Sequence, residues 1–134
     1  MIWKKPIYDS LASCTTLCDE FALECTRSED IEKWYRSIFL ALDCADMCRQ
    51  VSILYVRGSE NTPLLAKACL EVCEKLGQEV QQHNTDSCQQ IYAICQQTIC
   101  SCVAIENMAS PVRTEIGNPT IKPTSLFYGK TLYN

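Results

Sequence analysis

Apolar residues recur along this chain in steps of three and four, and they do so in four separate runs. The first, from about Pro6 to Arg27, carries Ile7, Leu11, Cys14, Cys18, Phe21 and Cys25 on one stripe. The second, from about Glu29 to Arg57, carries Trp34, Ser37, Ala41, Cys44, Cys48, Val51 and Tyr55. The third opens at Thr62 and carries Ala66, Cys69, Cys73, Leu76, Val80 and His83, and the fourth begins near Asn84–Asp86 and carries Cys88, Ile91, Cys95, Thr98 and Cys102. Such steps keep residues on one face of an α-helix, where i and i+4 lie one turn apart. The punctuation between the runs agrees. Ser28 is suited to cap the second helix, with Glu29 and Asp30 at its positive start, and Gly58 is suited to end it. Thr62 with Pro63 reads as the cap and first position of the third. Gly77 inside that helix costs roughly 1 kcal/mol against alanine, which a packed helix tolerates.

Narrow stripes joined by short loops make antiparallel neighbours, so the chain is read as an all-α, up-down-up-down four-helix bundle. Residues 1–108 form the bundle in this reading. Pro111, Pro119, Pro123, Gly117 and Gly129 are expected to stop the fourth helix near Met108, leaving 109–134 as an irregular tail. Phe127, Tyr128 and Tyr133 suit a tail that wraps the bundle or a neighbouring subunit, whereas its composition alone suits a loose end.

The stripes are unusual in what fills them. Ten of the eleven cysteines lie on them, three times as Cys-x-x-x-Cys at Cys14/Cys18, Cys44/Cys48 and Cys69/Cys73, then every seventh residue at Cys88, Cys95 and Cys102. Free cysteine packs as a small hydrophobe, so one or two would need no explanation. Ten in register point to soft-metal chemistry. Antiparallel packing is expected to gather Cys14, Cys18, Cys44, Cys48, Cys69, Cys73 and Cys95 at mid-height, with Cys102 towards one end. At the other end Cys25, His83 and Cys88 are expected to meet. Zinc sites usually show Cys-x-x-Cys, which is absent, as is any thioredoxin-type redox motif. Iron–sulfur ligands usually sit on loops at shorter spacings. Thiolates offered by rigid helices around a narrow core suit Cu(I).

Cys100 lies two residues from Cys102 and points off the stripe. Met47 and Met108 offer thioether sulfur but read as filler. His83 reads equally as a ligand at the mouth of the core or as a histidine at a helix end. The net charge of −4 and scattered basic residues give no surface for nucleic acid. No run of about 18 apolar residues spans a bilayer, and no secretory h-region follows Lys4 and Lys5, so a reducing cytoplasm is the expected compartment. No nucleophile–base pair or phosphate loop appears, and no enzyme is expected.

The stretch from Leu42 to Cys102 resembles the bacterial copper storage proteins. The residues that carry the resemblance are Asp43-Cys44-Ala45-Asp46-Met47-Cys48, Arg57-Gly58-Ser59, Cys69-Leu70-Glu71-Val72-Cys73-Glu74, then His83, Asp86, Cys88, Cys95 and Cys102. The resemblance implies a bundle whose core is a tube of thiolates holding several Cu(I) ions per chain, in a family whose members commonly assemble as homo-oligomers. It also marks departures. Ser37, Ala66, Leu76, Val80, Ile91 and Thr98, with Leu11 and Phe21, stand where such proteins tend to place cysteine. Capacity is therefore expected to be reduced and split into a larger central group and a smaller end group. The alternatives are a structural or interaction bundle that no longer stores metal, and a thiol redox sensor.

Overall fold

The structure is a computed structural model and describes residues 5–116, with side chains as far as residue 108. Its elements are α1 (Lys5–Thr26), a 3₁₀ turn (Ile31–Trp34), α2 (Tyr35–Val56), α3 (Thr62–Val80) and α4 (Asp86–Ile116), with no strand among the described residues. Each helix packs on its neighbours in sequence, and α1 closes the ring against α4.

Contacts along each pair run in opposite directions, which makes the bundle antiparallel. Between α1 and α2, Phe21 meets Trp34 and Cys14 meets Cys44. Between α2 and α3, Ser37 meets Glu79, Cys44 meets Cys73, and Cys48 meets Cys69. Gly77 of α3 faces Tyr92 and Cys95, while Glu24 of α1 bonds Ser87 of α4. One end of the bundle therefore holds the 27–34 and 81–85 connections, and the other holds the 57–61 connection. The expected fold stands.

Two boundaries differ from expectation for physical reasons. The second helix proper begins at Tyr35, six residues later than the charge pattern suggests, because Ser28 caps a local turn: its Oγ accepts the Asp30 N–H at 3.2 Å. The 3₁₀ turn that follows brings Trp34 inward, edge-on to Phe21 with centroids 6.3 Å apart. The fourth helix does not stop at Met108 but runs to Ile116, through Pro111. A proline gives up its own bond to the carbonyl one turn back, and flanking bonds can carry a helix past it at the cost of a bend. The helix therefore passes the expected boundary at Met108, and the remainder of the tail expectation, Phe127, Tyr128 and Tyr133 included, lies outside the described residues.

Gly58 behaves as expected. Its φ of +69° places it in the left-handed region. The Ser59 N–H reaches back to the Leu54 carbonyl at 3.0 Å and the Gly58 N–H to the Tyr55 carbonyl at 3.1 Å, the paired bonds of a Schellman ending.

The helices share one core. Cys14, Cys18, Cys44, Cys48, Cys69, Cys73, Cys95 and Cys102 have no exposed surface, and Leu11, Val51, Ala66 and Leu76 fill the spaces between them as completely. Two of the buried hydroxyls are settled within their own helices. Thr98 Oγ1 donates to the Ile94 carbonyl at 2.8 Å and Ser52 Oγ to the Cys48 carbonyl at 2.7 Å.

Gly77 is the replaceable weak point. A Cβ there would meet Tyr92 Cδ1 at 3.6 Å and Cys95 Cβ at 3.9 Å, ordinary van der Waals distances. Gly77→Ala should therefore stabilise the reduced, metal-free protein by about 0.5–1 kcal/mol, since only the backbone entropy term changes. Urea denaturation at constant m-value is the measurement, and a lower midpoint would show that the α3–α4 contact is tighter than described.

Candidate metal centre

The central thiols approach one another as directly as sulfur atoms can without bonding. Cys14 Sγ lies 3.8 Å from Cys18 Sγ on its own helix and 3.8 Å from Cys44 Sγ across the α1–α2 contact. Cys44 Sγ lies 3.5 Å from Cys73 Sγ, and Cys48 Sγ lies 3.7 Å from Cys69 Sγ. Every cysteine is a free thiol. Four of the sulfurs, from Cys14, Cys44, Cys48 and Cys73, lie within 4.8 Å of one another, a group that can surround an ion. The geometry follows from the spacing: each i,i+4 pair projects from one face, and the two pairs of α2 and α3 are brought sulfur to sulfur by antiparallel registration.

Sharing hydrogen bonds divides the thiols into two kinds. Cys14 is pulled far below the ordinary thiol range by the hydrogen bonds it shares with Cys18 above all, then Cys44, Cys48 and Cys73. Cys69 is lowered by Cys102 first and then by Cys48. Cys44 is raised by its bond to Cys14, but its bonds to Cys18, Cys48 and Cys73 outweigh this and leave it lowered. The remaining central thiols move the other way. Cys18, Cys48, Cys73 and Cys95 are pushed up, first by their bonds to Cys14, and Cys102 by its bond to Cys69. Desolvation raises them further, since a thiolate without a counter-charge is costly inside a protein. The group therefore holds a first negative charge readily, and each later one is resisted by those already present. A bound cation removes that resistance.

Of the expected ligands, the structure brings Cys14, Cys18, Cys44, Cys48, Cys69, Cys73 and Cys95 together at mid-height. Cys102 is buried with Cys69 as its neighbour, on the side of the group nearer the 57–61 connection. Cys100 is exposed, as its off-stripe position requires. Cys25 and Cys88 are buried at the opposite end, near enough that the Cys88 charge is, after desolvation, the next cause raising Cys25 to about 11.

His83 does not complete a three-ligand group with that pair: among the described residues, Cys14, Cys44, Cys48 and Cys73 form the cluster of three or more ligand atoms close enough for one ion. Its Nε2 faces Glu79 Oε2 at 3.3 Å, and its ring lies against Trp34 with centroids 4.3 Å apart. Glu79 was missed from the sequence. It is a carboxylate 7% exposed that accepts the Ser37 hydroxyl at 3.0 Å and the Arg36 Nε–H at 3.0 Å. Its i,i+4 spacing to His83 was the available signal. This network tops the thiol core with polar groups that satisfy one another.

An all-helical bundle whose shared axis is packed with free thiols, four of them within reach of one ion, defines a thiolate metal-binding protein. The comparisons give the class its family. Residues 4–107 match the family described as copper storage protein, and the chain belongs to that family. Among solved structures, a Cu(I)-bound copper storage protein, BsCsp3, shares the fold with a TM-score of 0.72 at 20% identity, over 76% of this chain and 96% of that one. No curated protein matches the chain.

Two outcomes test the site as described. Glu79→Ala leaves the buried Ser37 hydroxyl without its acceptor and should cost about 1–3 kcal/mol, read by urea denaturation, whereas Glu79→Gln keeps an acceptor and should cost less. The pH dependence has a definite sign. Cys25 has its folded pKa raised from 9.0 to about 11, so its contribution is complete below pH 9.0 and is lost as pH climbs towards 11. Reduced, metal-free protein should lose stability over that window, and less steeply in Cys25→Ala. A flat profile would show that Cys25 is not desolvated.

Proposed function

We propose that this copper storage family member binds several Cu(I) ions per chain through the thiolates of its bundle core and holds them as a store. The observation that carries this reading is the continuous run of sulfur contacts at 3.5–3.8 Å from Cys18 through Cys14 and Cys44 to Cys73, with Cys48 and Cys69 beside it. A soft monovalent ion that accepts two or three sulfurs finds such a set between any neighbouring thiols. Loading exchanges one proton for the ion at each thiol that becomes a ligand. The ion's charge offsets the thiolate charge that burial opposes, so metal binding and thiol ionisation proceed together. No helix needs to move, because the sulfurs already touch.

The ligands in this proposal are Cys14, Cys18, Cys44, Cys48, Cys69, Cys73, Cys95 and Cys102 in a central group, with Cys25 and Cys88 as a small separate pair. Phe21, Leu76, Val80 and Ile91 are buried and bring apolar side chains to the region between the two groups. Capacity is thus divided where those side chains intervene. His83, engaged by Glu79 and Trp34, is a wall of the end compartment in this reading, with its ligand role left to the titration. Storage in thiolate form needs a reducing compartment, which supports a cytoplasmic setting, and the chemistry calls for no catalytic turnover.

The decisive experiment is a Cu(I) titration of reduced, metal-free protein against a competing chelator. Several tight equivalents are expected. Changing Cys14, Cys18, Cys44, Cys48, Cys69 and Cys73 together to serine should abolish most of the capacity while circular dichroism stays helical, because a buried helical hydroxyl can bond the carbonyl one turn back as Ser52 does. Cys25→Ser with Cys88→Ser should remove a smaller, weaker share, and His83→Ala should leave affinity unchanged. Absence of binding by the parent protein would leave the thiols as packing groups, and lowered affinity in His83→Ala would return the histidine to the ligand set.

A further inference from the structure

The central tetrad adds one feature to the pairwise contacts used for copper: four sulfurs lie mutually within 4.8 Å. We propose that Cys14, Cys44, Cys48 and Cys73 form a preassembled four-thiolate site for one divalent closed-shell ion, Zn(II) or Cd(II), that excludes copper from those sulfurs while it is bound. The site shares ligands with the storage reading but does not rest on it.

The argument begins with distances. With metal–sulfur bonds of about 2.3 Å, the edge of a tetrahedron of sulfurs is about 3.8 Å, whereas two sulfurs facing each other across a linear ion stand about 4.6 Å apart. The Cys14–Cys44 and Cys44–Cys73 edges are 3.8 and 3.5 Å. All edges of the tetrad are at most 4.8 Å, so the longest needs to close by about 1 Å, within the reach of a small side-chain rotation. Three helices supply the corners. α1 gives Cys14, α3 gives Cys73, and the one-turn pair Cys44 and Cys48 of α2 supplies the other two. Zinc sites on ribbons use Cys-x-x-Cys to bring sulfurs together within one turn. Here helix packing achieves the same convergence, which is why the spacing along the chain does not announce it.

Charge distinguishes the candidates next. Four thiolates around a monovalent ion leave three negative charges in a closed core, and around a divalent ion they leave two. The surrounding thiols are placed to spread what remains. Cys18 Sγ is 3.8 Å from Cys14 Sγ, and Cys69 Sγ is 3.7 Å from Cys48 Sγ. Protonated, these two are outer-shell S–H donors to bound thiolates, the partners a metal site needs beyond its ligands. Binding is a balanced exchange without redox change: one divalent ion enters and four thiol protons leave. A copper store so equipped would rest with its central sulfurs held by a divalent ion and give them up when copper, the stronger binder of thiolates, arrives.

The probe is Co(II), titrated into reduced, metal-free full-length protein. One equivalent should produce the intense visible absorption of tetrahedral thiolate-bound Co(II). Stoichiometric Zn(II) or Cd(II) should displace it, and Cu(I) should abolish it. Cys73→Ser removes one corner and should shift the spectrum and lower affinity at least about tenfold, the lower end of what losing even an outer-shell partner costs. Cys25→Ser should change nothing. Circular dichroism checks that Cys73→Ser is folded, and Cys14→Ser supplies a second corner with the same expected outcome. Weak octahedral absorption, failure of Zn(II) to displace Co(II), or an unaltered spectrum in both corner variants would overturn the site. Cu(I) uptake without Co(II) or Zn(II) binding would overturn this inference and leave storage standing. Co(II) binding without Cu(I) uptake would do the reverse.

Discussion

The structure depends on one constraint: thiols packed into a closed core must stay neutral or be neutralised. A buried thiolate has no water to solvate it, and no Lys or Arg is among the buried residues of the core. The sulfurs therefore have each other. They contact one another at 3.5–3.8 Å, and these mutual contacts fill the metal-free core. The same contacts that settle the apo state are those a soft ion would occupy. Little reorganisation then separates an empty core from a filled one, which is the physical advantage of building the store inside a bundle.

The non-cysteine members of the core set its limits. Leu11, Val51, Ala66, Leu76 and Val80 are buried as completely as the thiols, within 1% exposure. Each stabilises the bundle whether or not metal is bound, because apolar burial does not change with loading. A core made of sulfur alone would depend on ions for much of its cohesion. Capacity and metal-free stability thus draw on the same positions along the stripes, and this chain stands towards the stable side.

The helices and the inward direction of ten cysteines were legible because a stripe at steps of three and four has one reading when the loops between runs are short. Gly58 was legible because its left-handed conformation is a glycine position. What was not legible depended on contacts between distant residues. Trp34 was read correctly on the inward stripe, but the 3₁₀ turn that carries it was disguised as a helix start by the charged run Glu29–Asp30. Glu79 sits one residue from Val80, so a polar face and a core face were both open to it, and only Ser37 and Arg36 from α2 decide the matter. Pro111 read as a stop because the rule is local, while the helix continues to Ile116.

The end network shows how a polar group can be buried without weakening the thiol core beneath it. Glu79 brings a carboxylate to a place where water is largely excluded, and it is matched by one hydroxyl, one guanidinium and one imidazole. Replacing all four with apolar groups would leave the packing nearly satisfied, whereas removing one alone strands the others, so such a network persists as a unit. Trp34 links that unit to the core, with His83 on one side and the Phe21 edge on the other. Phe21 and Cys25 are buried positions of α1, one turn apart. The imidazole that looks from sequence like a spare ligand is thus held by a carboxylate and an indole, and aromatic packing joins this end of the bundle to the thiol core.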